Sequence, residues 1–130
     1  MCESTTQIFC TAGTQTYLLI RFVHLIPGPA IPTLLASAST RIADIIDTLG
    51  DGVIRGGYFQ YTGGGAARGL ELYTQNYGNH QQTWGVLGAA VAALQEYMIS
   101  CEWNLGGGGS VQFSLYDGGH EVAVGTLGPA

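Results

Sequence analysis

Apolar positions along the chain follow two different periods. Between Asn79 and Ser100, Trp84, Leu87, Val91, Leu94 and Met98 recur at steps of three and four, one stripe of an α-helix. Asn79 stands before it as an N-cap, whose side-chain oxygen accepts from free first-turn N–H groups. Gln82 sits where a capping-box partner belongs. Beside the stripe runs a row of small residues, Gly85, Gly88, Ala89, Ala92 and Ala93. Each glycine inside a helix costs about 1 kcal/mol relative to alanine, a cost tolerable where another backbone approaches closely. The ridge therefore predicts a contact surface, either for another element of the chain or for another copy of it.

The second period is two. Thr16 to Ile26 is rich in β-branched and aromatic residues and is bounded by proline, which predicts a strand. Its faces are Tyr17, Leu19, Arg21, Val23, Leu25 and Leu18, Ile20, Phe22, His24, Ile26, both mainly apolar. A strand apolar on both sides must be covered on both sides, so it is either sandwiched in its own domain or inserted into a neighbouring molecule. Residues 1–15 read as a polar tail or a weak edge strand. Pro27, Pro29 and Pro32 form a stiff connector, and Pro32 suits the first turn of a helix. That helix carries Leu35, Ala38, Ile42, Ile45, Ile46 and Leu49 at helical spacing and ends at Gly50. Short strands follow at Tyr58–Thr62 and Leu70–Gln75, joined through Gly63, Gly64 and Gly65. After the long helix come a loop at Gly106–Ser110 and a hairpin pairing Val111–Tyr116 with Glu121–Leu127 across Asp117-Gly118-Gly119.

The order is β-α-β-β-α-β-β, which predicts an α+β two-layer sandwich: an antiparallel sheet with both helices on one face. In the last hairpin Val111, Phe113, Leu115, Val122 and Val124 are expected on the covered face, with Gln112, Ser114 and Glu121 toward water. The open face should carry tyrosine and glutamine. Two segments are expected: residues 1–29 as a tail plus an apolar strand that a neighbouring subunit could receive, and residues 30–130 as the core domain.

Composition sharpens this picture. The 130 residues include 21 glycines, four arginines, no lysine and a net charge of −5. With no basic run, nucleic acid and anionic membrane are poor partners. A charge-poor surface repels its own copies weakly and so permits self-association. No apolar run reaches the ~18–20 residues of a membrane-spanning helix. Tyr17–Ile26 makes a poor signal peptide, since no positive residue precedes it and Pro27-Gly28-Pro29 follows. Extracellular or cell-surface placement is nevertheless favoured. Cys2, Cys10 and Cys101 have no metal spacing; Cys2 and Cys10 could close a small loop, or all three could be free thiols.

The run N-H-Q at 79–81 leading into Thr83-Trp84-Gly85-Val86-Leu87 and Ala89-Ala90, with Leu94 and Tyr97-Met98 beyond, resembles a group of small glycine-rich fungal proteins of unknown function. These share an N-H-Q-x-T-W-G-V-L-x-A-A helix and a D-G-x-x-E-V-x-x-G hairpin, here Asp117–Thr126. The Pro32-Thr33-Leu34-Leu35 helix start fits as well. The likeness spans roughly residues 30–127. It implies a fold and a fungal origin, and no catalytic activity.

Candidate chemistry is thin. His80 could act as a base or ligand, but a histidine at a helix start more often satisfies first-turn groups or packs on Tyr77. His24, His80 and His120 lack ligand spacing. No G-x-S-x-G elbow is present, and the glycine runs lack the G-K-[ST] ending of a phosphate loop. The expectation is therefore a protein without enzymatic activity, metal or cofactor. It associates with copies of itself, into filaments by donation of the N-terminal strand, through Tyr17, Leu18, Leu19, Ile20, Phe22, Val23, Leu25 and Ile26 and through Gly85, Ala89 and Ala92. The alternative is a secreted lectin-like module in which Tyr58, Tyr61 and Tyr73 stack sugars.

Overall fold

The computed structural model describes residues 6–11, 13–26, 28–78, 80–100 and 108–129. They form a six-stranded antiparallel sheet with two helices on one face, the α+β sandwich expected. The elements are β1 (Thr6–Cys10), β2 (Thr16–Ile26), α1 (Ala30–Leu49), β3 (Tyr58–Thr62), β4 (Leu70–Asn76), α2 (Trp84–Ser100), β5 (Gly108–Asp117) and β6 (His120–Pro129). Their order across the sheet is β1-β2-β5-β6-β4-β3. The weak edge strand of the N-terminal region is thus β1. β5 begins at Gly108, inside the stretch expected to be a loop.

β2 occupies the predicted span and is paired along it with β5, from Thr16 opposite Asp117 to Ile26 opposite Gly108. β1 covers its other edge from Thr6 opposite Arg21 to Cys10 opposite Tyr17. Its two apolar faces therefore have different fates. Leu18 and Ile20 are fully buried beneath the helices, whereas Tyr17 and Leu19 lie half-buried on the opposite face. A register shift at Val23 interrupts the alternation, and beyond it Val23 and Leu25 are 39% and 46% exposed.

α1 ends as its sequence dictates. Gly50 takes φ +82°, a left-handed conformation that costs glycine nothing, and its N–H donates to Ile46 O at 2.8 Å. Ile31, Leu34, Leu35, Ala38 and Ile42 form the buried stripe, while Leu49 at the far end is exposed.

The start of α2 is a correction. The helix begins at Trp84, five residues after the expected cap; Asn79 itself lies outside the described residues. Thr83 caps it, its Oγ1 accepting the Val86 N–H at 3.2 Å. Asp51, from the turn after α1, accepts the Gly85 N–H at 2.8 Å and places a negative charge at the positive end of the helix dipole. Gln82 makes no capping box. It is fully buried, its N–H donating to Asn76 Oδ1 and its Oε1 accepting from Thr74 Oγ1. The small ridge of α2 meets the protein's own elements: Gly88 faces Ile42 of α1, and the Ala89 carbonyl accepts from Thr11 Oγ1.

The C-terminal hairpin differs from expectation at one residue with a large effect. Leu115 pairs with Ala123 but Tyr116 with Glu121, so Val122 is an extra residue and the side-chain alternation of β6 inverts after it. Ala123, Gly125 and Leu127 face the helices, and Val124 joins Ser114 on the open face.

Gly125 lies where only a hydrogen fits. A Cβ there would collide with the Phe113 ring and sit 2.6 Å from the Tyr73 carbonyl oxygen. Gly125→Ala should lower stability by about 1–3 kcal/mol in urea unfolding. Gly119→Ala, with nothing within 4 Å of the added carbon, should stay within about 0.5 kcal/mol. Equal effects at the two positions would contradict the packing.

Candidate functional site

The sheet leaves three surfaces that the helices do not cover: the outer edge of β1, the outer edge of β3, and the face opposite the helices. Among the described residues β1 is laddered to β2 alone and β3 to β4 alone, which makes them the outermost strands of the described sheet. Their sequences are TQIFC and YFQYT. Neither contains a charged residue or a proline, the usual means of blocking strand addition. Each has five residues, a length of about 17 Å. Ile8 on β1 is 64% exposed and Tyr58 on β3 is 52% exposed. β1 is anchored from behind by Phe9, whose ring meets buried Tyr97 edge-on at 5.3 Å.

On the face opposite the helices the register lines side chains into rows. One runs Ile8, Leu19, Ser114, Val124, Gln75, Tyr58; the next runs Arg21, Gln112, Thr126, Tyr73, Gln60. Short hydrogen bonds stitch them: Arg21 Nη2 donates to Gln112 Oε1 at 2.8 Å, Tyr73 Oη to Gln75 Oε1 at 2.9 Å, and Gln60 Nε2 to Glu71 Oε2 at 2.7 Å. Between the rows lies a shallow trough of about 500 Å³. Tyr17 and Tyr116 stack at 4.8 Å with planes 4° apart, and Tyr58 and Tyr73 at 6.1 Å.

The residues singled out from sequence are therefore divided. Tyr58 and Tyr73 meet on the open face. Tyr61 does not join them: strand alternation turns it to the helix side, where its ring lies parallel to Phe59 at 6.4 Å. Of the association set, Leu18 and Ile20 are core, and Phe22 and Ile26 pack against it. Tyr17 and Leu19 belong to the open face, and Val23 and Leu25 are exposed at the bulge. Gly85, Ala89 and Ala92 are half-buried on α2, the first two engaged by Asp51 and Thr11. Sequence reasoning missed the two edges as surfaces. Their signal was the absence of charge and proline in both five-residue strands, legible only once they are known to be outermost.

His80 and His120 are both exposed and lie with ring centroids 4.9 Å apart. His24 is paired to Ser110 on the sheet and does not join them. Among the described residues no group of three His, Cys, Asp or Glu could hold a metal ion. Cys10 is an exposed free thiol on β1; Cys2 and Cys101 lie outside the described residues. No helix among the described residues is long and apolar enough to cross a membrane.

Tyr116 titrates above the ordinary tyrosine value of 10, first because its surroundings remove it from water and then because the Glu121 carboxylate repels a phenolate and accepts its hydroxyl at 3.3 Å. The raised value means that the folded state holds this proton more tightly than the unfolded chain. Its contribution to stability is full below pH 10 and is lost as pH rises through the folded value. In an alkaline absorbance titration Glu121→Gln should bring one late-ionising phenol toward its ordinary value, and Tyr116→Phe should remove that phenol. No change in either variant would contradict the assignment.

No family model, curated protein or solved structure matches this chain.

Proposed function

We propose that this protein is a non-enzymatic structural subunit that associates with copies of itself by joining the β1 edge of one molecule to the β3 edge of the next. The observation that carries this reading is the pair of outermost strands, matched in length and free of charge and proline. A neighbour's β1 can cover β3 along its whole length with main-chain hydrogen bonds, as in strand addition generally. The two edges are different and lie at opposite ends of the sheet, so the contact is head-to-tail and propagates unless it closes into a ring. The lysine-free, charge-poor sequence favours the same outcome. Donation of β2 itself would first require breaking its pairing with both β1 and β5. Edge joining requires no such opening.

A second reading rests on the open face. Tyr58 and Tyr73 with the amide-rich trough beside them offer a stacking platform and hydrogen-bonding groups to a neutral sugar. Tyr73→Ala should abolish glycan-array binding on this reading while leaving particle size unchanged.

The edge model makes a specific mixing prediction. Purified wild-type protein at micromolar concentration should run as oligomers or filaments by light scattering and negative-stain microscopy. Ile8→Lys, which charges β1, and Gln60→Lys, which charges β3, should each give monomers with unchanged circular dichroism. Mixed in equal amounts they should form a dimer and nothing larger, because each supplies the edge that the other lacks. If Gln60→Lys alone still dimerises, β1 pairs with β1 and the head-to-tail contact is wrong. A monomeric wild type ends the proposal.

A further inference from the structure

Behind β3, on the helix side of the sheet, lies a hollow of about 620 Å³ between α1, the short turn at Arg55–Gly57 and β3. Its size is that of a small-ligand site. One wall is aromatic: Phe59 and Tyr61 lie parallel at 6.4 Å, and Trp84 meets Phe59 edge-on at 5.8 Å with planes at 90°. Two further groups on its lining are the guanidinium side chains of Arg41, from α1, and Arg55, from the turn. These are half of the cations in a chain of net charge −5. No carboxylate lines the hollow, and among the described residues neither arginine is in an ion pair.

Arg41 and Arg55 are both exposed and line one concavity whose other lining residues include no acid, so an anion seated there meets two cations. Guanidinium groups take carboxylate and phosphate through paired N–H donors. Aromatic rings beside them accept a flat apolar body by stacking or edge contact. We infer that this hollow binds a small planar anion, an aromatic ring carrying a carboxylate or phosphate, with the ring against Tyr61 and Trp84 and the anionic group held by Arg41 and Arg55. All five residues of β3 line the hollow, so it borders the edge that the proposed contact uses, and the binding test below is run on its own readout.

The probes are 2-naphthoate and 2-naphthyl phosphate, with 2-naphthamide as the neutral counterpart and acetate as the charge without the ring. Binding to the full chain is measured by titration calorimetry at two salt concentrations. One or both naphthyl anions should bind at least tenfold more tightly than 2-naphthamide or acetate, and more weakly at high salt; the ranking of the two identifies the anionic group. Arg41→Gln and Arg55→Gln should each weaken binding about tenfold with unchanged melting temperature. Arg68→Gln, an exposed arginine that does not line the hollow, should leave it unaltered. Equal binding of 2-naphthamide and 2-naphthoate, no effect of either arginine substitution, or no binding of any naphthyl anion at millimolar concentration would each overturn the assignment.

Discussion

The full-length pairing of β2 with β5 is the contact on which the other elements depend. It brings the N-terminal strand into the interior of the sheet, sets β5 between β2 and β6, and leaves β1 and β3 as the outermost strands. It also buries Leu18 and Ile20 under the helices beside Phe113 and Leu115. Were β2 absent, β5 would expose one whole edge and α2 would lose part of the surface it covers. The loop from β4 into α2 is fixed by a separate set of ties, Gln82 to Asn76 and Thr74, and Gly85 to Asp51. These set where α2 begins and so how it lies across the sheet.

Both helices occupy one side, and this single-sided arrangement determines what the protein can offer a partner. The covered side uses Leu, Ile, Val and Phe in the usual way. The opposite side mixes Tyr, Gln, Thr and Ser with a few apolar residues and the charged Arg21 and Glu71, and its hydrogen bonds run both along a row and between neighbouring rows. Such a face is wet but weakly charged. The outermost strands β1 and β3 continue the same chemistry, with no charged residue or proline in either.

The fold was largely legible because period two and period three-to-four separate cleanly in this chain. Thr16–Ile26, the Gly50 stop and the tyrosine–glutamine face follow from local patterning alone. Where expectation failed, a long-range partner had displaced a local rule. Asn79 and Gln82 satisfy a capping pattern, yet the acceptors at the helix start are Thr83 and, more than thirty positions earlier, Asp51. Val124 matches Val122 in sequence parity, yet one extra residue in β6 turns it to the other face. Tyr61 was grouped with Tyr58 and Tyr73 by residue type, whereas alternation within β3 separates it. An edge strand was one reading of the N-terminal residues, but β3 could not be identified as the other edge because sequence order does not reveal strand order. The arginine hollow was hidden for the same reason, since Arg41 on α1 and Arg55 before β3 come to line one concavity only in the folded chain.

The strand order also has a geometric consequence for anything built from this molecule. Neighbouring strands in a sheet rotate by about 20–25° and stand about 4.8 Å apart. A sheet of six strands extended end to end would therefore advance about 29 Å per molecule and turn by about 120–150°. Its successive helical layers would wind around the sheet axis and return to the same side every two and a half to three molecules, roughly 70–85 Å along. A ribbon of this kind would look beaded in projection, with a repeat set by the handedness of L-amino acids rather than by any particular side chain.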